Sequence, residues 1–260
     1  MRRRASELIG NYQVTDAGAL TRREVLLMGA AAATAAAASG IGVQAAVSSS
    51  PQTSEPYTAK DFSELTMKKL DGISSSQIDQ HLKLYQGYVK KSNEIYNKLK
   101  DVDITTANAT YSPLRELLME QSYAVNGAIY HELYFGNLGG KDGEPTGELK
   151  SAIEERWDST SKFVDYLKAA GKSMRGWVII GFNTRAGHLD AFGLDLHNMW
   201  SPANTVPVIV LDVYEHAYMI DYGIDRPKYL DAFVRNLNWE VIAKRFATAR
   251  SHLCGPDTTA

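Results

Sequence analysis

The feature that most constrains this chain is a change of apolar period partway along it. Between residues 76 and 136 apolar side chains recur at helical spacing, and beyond residue 176 they run together as strands do. The first helical run puts Ile78, Leu82, Tyr85, Val89, Tyr96 and Leu99 on one face, with Tyr88 at its flank and His81 on the face itself. Ser76 and Asp79 read as its capping pair. Ser112-Pro113 announces a second long helix, whose stripe of Leu114, Leu117, Leu118, Gln121, Val125 and Ala128 is continued by His131 and stopped at Gly136. Two long antiparallel helices that each turn a histidine inward make a hairpin able to supply half a metal site.

A glycine-rich break at 137–143 closes this hairpin and marks a domain boundary. After it, Pro145 to Ala170 reads as one amphipathic helix closed by Gly171. Residues 176–182 and 206–211 then read as strands, and His188 to His197 as the middle strand between them. From Arg226-Pro227 to Ala249 the pattern is helical again, with Trp239 packed inside. The expected fold class is α+β: a long antiparallel α-hairpin over residues 58–138, then a domain over 145–253 with a three-stranded antiparallel sheet and surrounding helices.

The front of the chain does not read as part of that fold. Arg22-Arg23 precedes an uncharged, alanine-rich run from Met28 to Ser39 and then small residues up to Ala45, which looks like a bacterial twin-arginine export signal over residues 1–45. The apolar run is about half the roughly 20 residues a spanning helix needs, so no stable membrane span is expected in the mature chain. Residues 46–57, rich in Ser, Pro, Gln and Thr, read as a flexible linker. The expected location is periplasmic or otherwise extracytoplasmic. A formal charge of −2 leaves no basic field for nucleic acid. Cys254 is the single cysteine, so a metal must be held by His, Asp or Glu.

The sharpest local signal is Asp212-Val213-Tyr214-Glu215-His216, placed where the apolar strand 206–211 ends. A carboxylate and an imidazole four residues apart at a strand terminus can converge on one cation. Taken alone such a pair reads equally as a surface ion pair, and the two inward histidines strengthen the metal reading.

The run Asp212 to Tyr218, with Tyr222, Arg226-Pro227, Tyr229-Leu230 and Asn238-Trp239-Glu240, resembles the C-terminal signature of the iron/manganese superoxide dismutases. His131 with Asn137-Leu138, and Gly176-Trp177 to Gly181-Phe182 with Gly187-His188-Leu189, resemble further blocks of that family, so the similarity spans nearly all of residues 58–248. The resemblance implies an iron or manganese ion, one per subunit, on His81, His131, Asp212 and His216. It also implies superoxide as substrate, Trp177 as part of the hydrophobic wall, Tyr88 as a gate, and a homodimer with Glu215 at its interface.

Several positions depart from the family pattern. Aligned on Tyr88 without a gap, the first ligand position falls on Gln80; a one-residue deletion in the helix restores His81 and leaves Tyr85 where the family has a second histidine. Met219 stands where the family has the partner tyrosine, and Tyr214 where it has tryptophan. The helix glutamine that would bond the metal-bound solvent is replaced by Gly127, which leaves His197 as the candidate donor, the alternative being a solvent-exposed strand-end histidine. Two readings follow for function: a superoxide dismutase, or an inactive metal-binding scaffold that keeps the fold. A third, a mononuclear iron enzyme for another substrate, needs a wider pocket than Trp177, Tyr214 and Tyr88 imply.

Overall fold

The computed structural model describes residues 55–141, 143–199 and 202–253. The expected export signal and the linker as far as residue 54 lie outside the described residues. A short helix α1 (Glu64–Met67) leads into α2 (Ser75–Lys100), and α3 (Pro113–Asn137) runs back along α2. Ser112 caps α3 as its sequence predicts, accepting from the Arg115 amide at 3.3 Å. The α2 cap lies two residues earlier than expected: Ser74, not Ser76, accepts from the Gln77 amide at 3.1 Å. Ile78, Leu82, Tyr85 and Val89 are buried along α2 as their spacing demands, whereas Leu118 on α3 is half exposed. Each fully buried aliphatic side chain stabilises the fold by about 1.5–3 kcal/mol.

The single helix expected over 145–170 is two, α4 (Gly147–Trp157) and α5 (Thr160–Ser173). Asp158 takes a left-handed conformation, φ 66°, and the Ser159 side chain caps the next helix by accepting from the Lys162 amide at 3.2 Å. Gly171 does not close the helix but lies inside it, because a side chain there would meet Leu230 Cδ2 at 2.7 Å. The sheet comprises β1 (Trp177–Asn183), β2 (His188–Leu194) and β3 (Thr205–Asp212), all antiparallel, in the order β2-β1-β3. The middle strand is therefore β1, not the His188 segment. Its run from Trp177 to Phe182 is buried throughout, as a strand covered on both faces requires, while edge strand β2 is buried only at Leu189 and Leu194.

A 3-10 turn (Glu215–Ala217), a short helix α6 (Met219–Tyr222), α7 (Arg226–Arg235) and α8 (Trp239–Arg250) complete the chain. The expected C-terminal helix is thus broken at 236–238. Trp239 is half-buried at the start of α8, packed against the edge of the core with its indole donating to the Gly143 carbonyl at 2.8 Å. Residues on both sides of the glycine-rich break share one apolar core, in which Tyr85, Phe135 and Leu138 join Trp177, Val210 and Phe233. Among the described residues no helix is long and apolar enough to cross a membrane.

Candidate metal centre

Four side chains from three parts of the fold meet at one point. α2 contributes His81, the second half of α3 contributes His131, and the end of β3 with the turn after it contributes Asp212 and His216. Their donor atoms all lie within 4.8 Å of one another. Asp212 Oδ2 stands 3.1 Å from His81 Nε2, 3.1 Å from His216 Nε2 and 3.6 Å from His131 Nε2, and the last two nitrogens are 3.3 Å apart. Gln80 is exposed and reaches only Ser76 Oγ, at 3.4 Å. Of the two alternatives for the first ligand position, His81 is the one that faces the cluster.

The local structure dictates how these groups point. His131 Nδ1–H donates to the Gly127 carbonyl one turn back, at 2.5 Å, so its Nε2 carries a bare lone pair. That lone pair faces the Asp212 carboxylate oxygen with no hydrogen between them. The Tyr214 amide donates to Asp212 Oδ1 at 2.9 Å and turns Oδ2 toward the imidazoles. Behind the strand, Tyr229 donates to the Asp212 carbonyl at 2.7 Å and Tyr134 packs its ring against His81. Gln77, one turn before His81 and buried, donates to the His216 carbonyl at 2.6 Å and accepts from the Ile220 amide at 3.2 Å, which ties the turn bearing His216 to α2.

Electrostatics agrees with a cation-binding set. Burial would raise the Asp212 pKa, but His216 and His81 beside it hold the carboxyl well below the usual range, so it is ionised. Burial lowers the pKa values of His81 and His131, keeping both neutral and able to donate a lone pair. His216 is the exception: the Asp212 carboxylate outweighs burial and raises it. Ligand bonds of about 2.0–2.2 Å set 90–120° apart separate donor atoms by about 3.0–3.7 Å, and the four separations above fall in that range. Three imidazoles and one carboxylate suit iron or manganese. The residues present therefore fit such an ion, and the electron pairs of His131 and Asp212, facing each other at 3.6 Å, are both aimed to be shared with a cation.

Around this cluster His197, 1% exposed, sits just past β2 rather than at a solvent-exposed strand end. Trp177 Nε1–H, which can only donate, reaches His197 Nδ1 at 2.8 Å. Neutral His197 must then carry its hydrogen on Nε2, and that nitrogen lies 2.8 Å from the Tyr88 hydroxyl. Burial sets the His197 pKa at about 4, so the ring stays neutral. Burial, with neighbouring Tyr123 second, raises the Tyr88 phenol well above its usual value. Tyr88 stacks on His131, ring centroids 5.2 Å apart, and Trp177 meets the same imidazole edge-on at 4.9 Å. The hydroxyl that Tyr214 adds donates to the Asp195 carbonyl at 3.2 Å. Tyr85 faces away from the cluster: its hydroxyl accepts from the Lys60 amide at 2.8 Å and donates to Glu132 at 3.3 Å.

Sequence reasoning passed over Gln77 and Tyr123. Gln77 shares the His81 face one turn earlier, a signal that helical spacing carries. Tyr123, whose ring lies 4.5 Å from that of His197, is two turns before His131 on α3. Gly127 has a structural reason: a side chain there would meet the Tyr88 ring at 2.6 Å, so the missing glutamine leaves the space that the tyrosine fills.

Comparison with known proteins agrees with this geometry. The family model for the C-terminal domain of iron/manganese superoxide dismutases matches residues 145–245. The chain is 46% identical over 191 residues to "Superoxide dismutase [Fe]" of Aquifex pyrophilus, covering 71% of this chain and 89% of that protein. It is 37% identical over 191 residues to "Superoxide dismutase [Fe]" of Cupriavidus metallidurans, covering 70% and 92%. It is 30% identical over 204 residues to "Superoxide dismutase [Mn]" of Mycolicibacterium smegmatis, covering 76% and 97%. The convergent histidines and aspartate sit in a fold shared along most of these proteins' length, and the chain belongs to the iron/manganese superoxide dismutase family.

Proposed function

We infer that this protein is a superoxide dismutase, converting two superoxide ions and two protons to O₂ and H₂O₂, with iron or manganese held by His81, His131, Asp212 and His216. The observation that carries the reading is the convergence of three imidazole Nε2 atoms on one buried carboxylate oxygen. An iron or manganese ion bound there supplies a one-electron couple that accepts an electron from one superoxide and returns it to the next. The chain's own residues supply the rest. Asp212 offsets part of the ion's charge and leaves the site positive, which draws in an anion. Trp177 and Tyr214 wall the site with aromatic surface, their ring centroids 6.0 Å apart.

Protons must reach the peroxide product, and the hydrogen-bond chain has a forced direction. Trp177 donates to His197, His197 donates to Tyr88, and the Tyr88 hydroxyl hydrogen is directed to the neighbouring Tyr123 side chain. Because its pKa is raised, Tyr88 holds that proton at Oη through the neutral range. Tyr88 and His197 thus place a proton donor beside His131.

The family's dimer is proposed on the face around Glu215, which is exposed next to His216. Met219 and Ile224, which line one surface hollow with Glu215, are 42% and 93% exposed, apolar surface that a second copy would cover. Export by the twin-arginine route, and so a periplasmic location, is supported by Arg22-Arg23 and the alanine-rich run that follows. The test is the dismutation rate of the chain from Ala46 onward, loaded separately with iron and manganese, against His216→Ala. A rate that depends on the metal and is lost in the variant is expected. A full equivalent of bound metal with no rate above that of the free ion would replace the enzyme with an inert metal-binding scaffold.

A further inference from the structure

Both α3 and β3 deliver a residue to the cluster, His131 and Asp212, and the two elements are joined just beyond those residues by a polar clamp. Arg245 of α8 donates through one terminal nitrogen to Asn137 Oδ1 and to the Val208 carbonyl, each at 2.8 Å. Its other terminal nitrogen donates to the Leu133 carbonyl at 3.3 Å. Asn137, fully buried, passes the link on by donating to the Val210 carbonyl at 2.7 Å. Leu133 lies two residues after His131, and Val210 two residues before Asp212. Gly136 admits the guanidinium, since a side chain there would stand 3.0 Å from it.

The arrangement is costly unless it does something. The guanidinium bonds only neutral oxygens; burial lowers its pKa to about 10, with Glu132 supplying a smaller opposing effect. A cation at the end of α3 also meets the negative end of that helix. An apolar residue at 245 would fill the space, but it would make none of the three bonds that tie α3 to β3 and leave the Asn137 link to Val210 alone.

We propose that Arg245, with Asn137, is a positioning residue of the metal centre: it fixes α3 against β3 and so sets the separation between His131 and Asp212. This rests on the metal site inferred above. The fork of a guanidinium bonds several oxygens at fixed angles, which an ammonium cannot reproduce. The measurement uses cobalt(II) as the probe, read by its visible ligand-field absorption and by chelator competition. The proteins compared are the wild type, Arg245→Lys, Asn137→Asp and Thr184→Val. The last breaks a buried hydrogen bond at the far end of β1, Thr184 Oγ1 to the Asn204 carbonyl at 3.0 Å, and serves as a control for lost stability alone.

Arg245→Lys and Asn137→Asp are each expected to weaken cobalt binding about 10-fold, in the range seen for groups that support metal ligands, and to shift the absorption bands. Thr184→Val should leave both unchanged. If Arg245→Lys does not fold, Asn137→Asp, which keeps the arginine contact and loses the bond to Val210, gives the decision. Either variant, folded and with wild-type affinity and spectrum, overturns the clamp while the metal reading stands. A wild-type protein that takes up no cobalt overturns both.

Discussion

Alanine in place of Gly127 is a change that helix chemistry by itself favours by about 0.5–1 kcal/mol. The packing around α3 reverses the sign. The new Cβ would meet Tyr88 Cδ1 at 2.6 Å, Cε1 at 2.9 Å and Cγ at 3.0 Å, against an ordinary carbon separation of about 3.5–4.0 Å, so the ring must retreat by on the order of 1 Å. Overpacking of that kind costs about 1–3 kcal/mol. The retreat also strains the 2.8 Å bond from His197 to the Tyr88 hydroxyl, which is worth about 0.5–1.5 kcal/mol. After the helix gain is subtracted, the variant should be less stable by about 1–3.5 kcal/mol, a fall in Tm of about 3–10 °C. The assay is thermal and urea unfolding of the metal-free protein, with Gly127→Ala made in both the native and the Tyr88→Leu background. In the second background the smaller, flexible side chain yields, and the alanine should be neutral or stabilising. Coupling between the two positions below about 0.5 kcal/mol would refute the reasoning, as would a Gly127→Ala protein more stable than the parent.

Three further outcomes follow from the same geometry. His81→Ala should lower metal affinity by on the order of 100-fold or more, whereas Gln80→Ala loses only a 3.4 Å surface bond and should bind as the parent does; chelator competition separates them. In the metal-free protein the folded-state pKa values of His81, His131 and His197 lie below 6.5, so stability present above that pH is lost as the pH falls through it. Asp212, held below 3.8, adds a further loss at more acid pH, while His216, raised above 6.5, opposes with stability that fades as pH rises. Three groups against one make the urea midpoint fall between about pH 7 and pH 5, and a midpoint that rises there would contradict the burial argument. Asp158→Gly should raise stability by about 0.5–1 kcal/mol, because a non-glycine residue in the left-handed region carries about 1–2 kcal/mol of strain; an unchanged or lower Tm would show that the Asp158 turn is unstrained.

The two helix histidines were legible because helical spacing alone puts His81 and His131 on buried faces, and the strand-end pair because an apolar run stops at Asp212. Strand order was not legible, since nothing in the local pattern of 176–182 distinguishes a central strand from an edge strand except its unbroken burial. The break at Asp158 was missed because aspartate and serine are tolerated on a helix surface, and the left-handed turn depends on Trp157 and Phe163 closing on each other across it, ring centroids 4.9 Å apart. Tyr85 stayed ambiguous because its partner, the Lys60 backbone, comes from a segment 25 residues away with no periodic signature.

His81 on α2 and the Asp212 carboxylate on β3 are 131 positions apart, and His131 and His216 are 85 apart. No early piece of the chain can therefore hold the ion: the hairpin alone offers two neutral rings and no compensating charge. Closing so long a loop is entropically costly and tends to come late in folding. A chain still emerging from the ribosome, with residue 216 inside it, has nowhere to put a metal. The ion can therefore be taken up only once the fold has closed, in whatever compartment that happens.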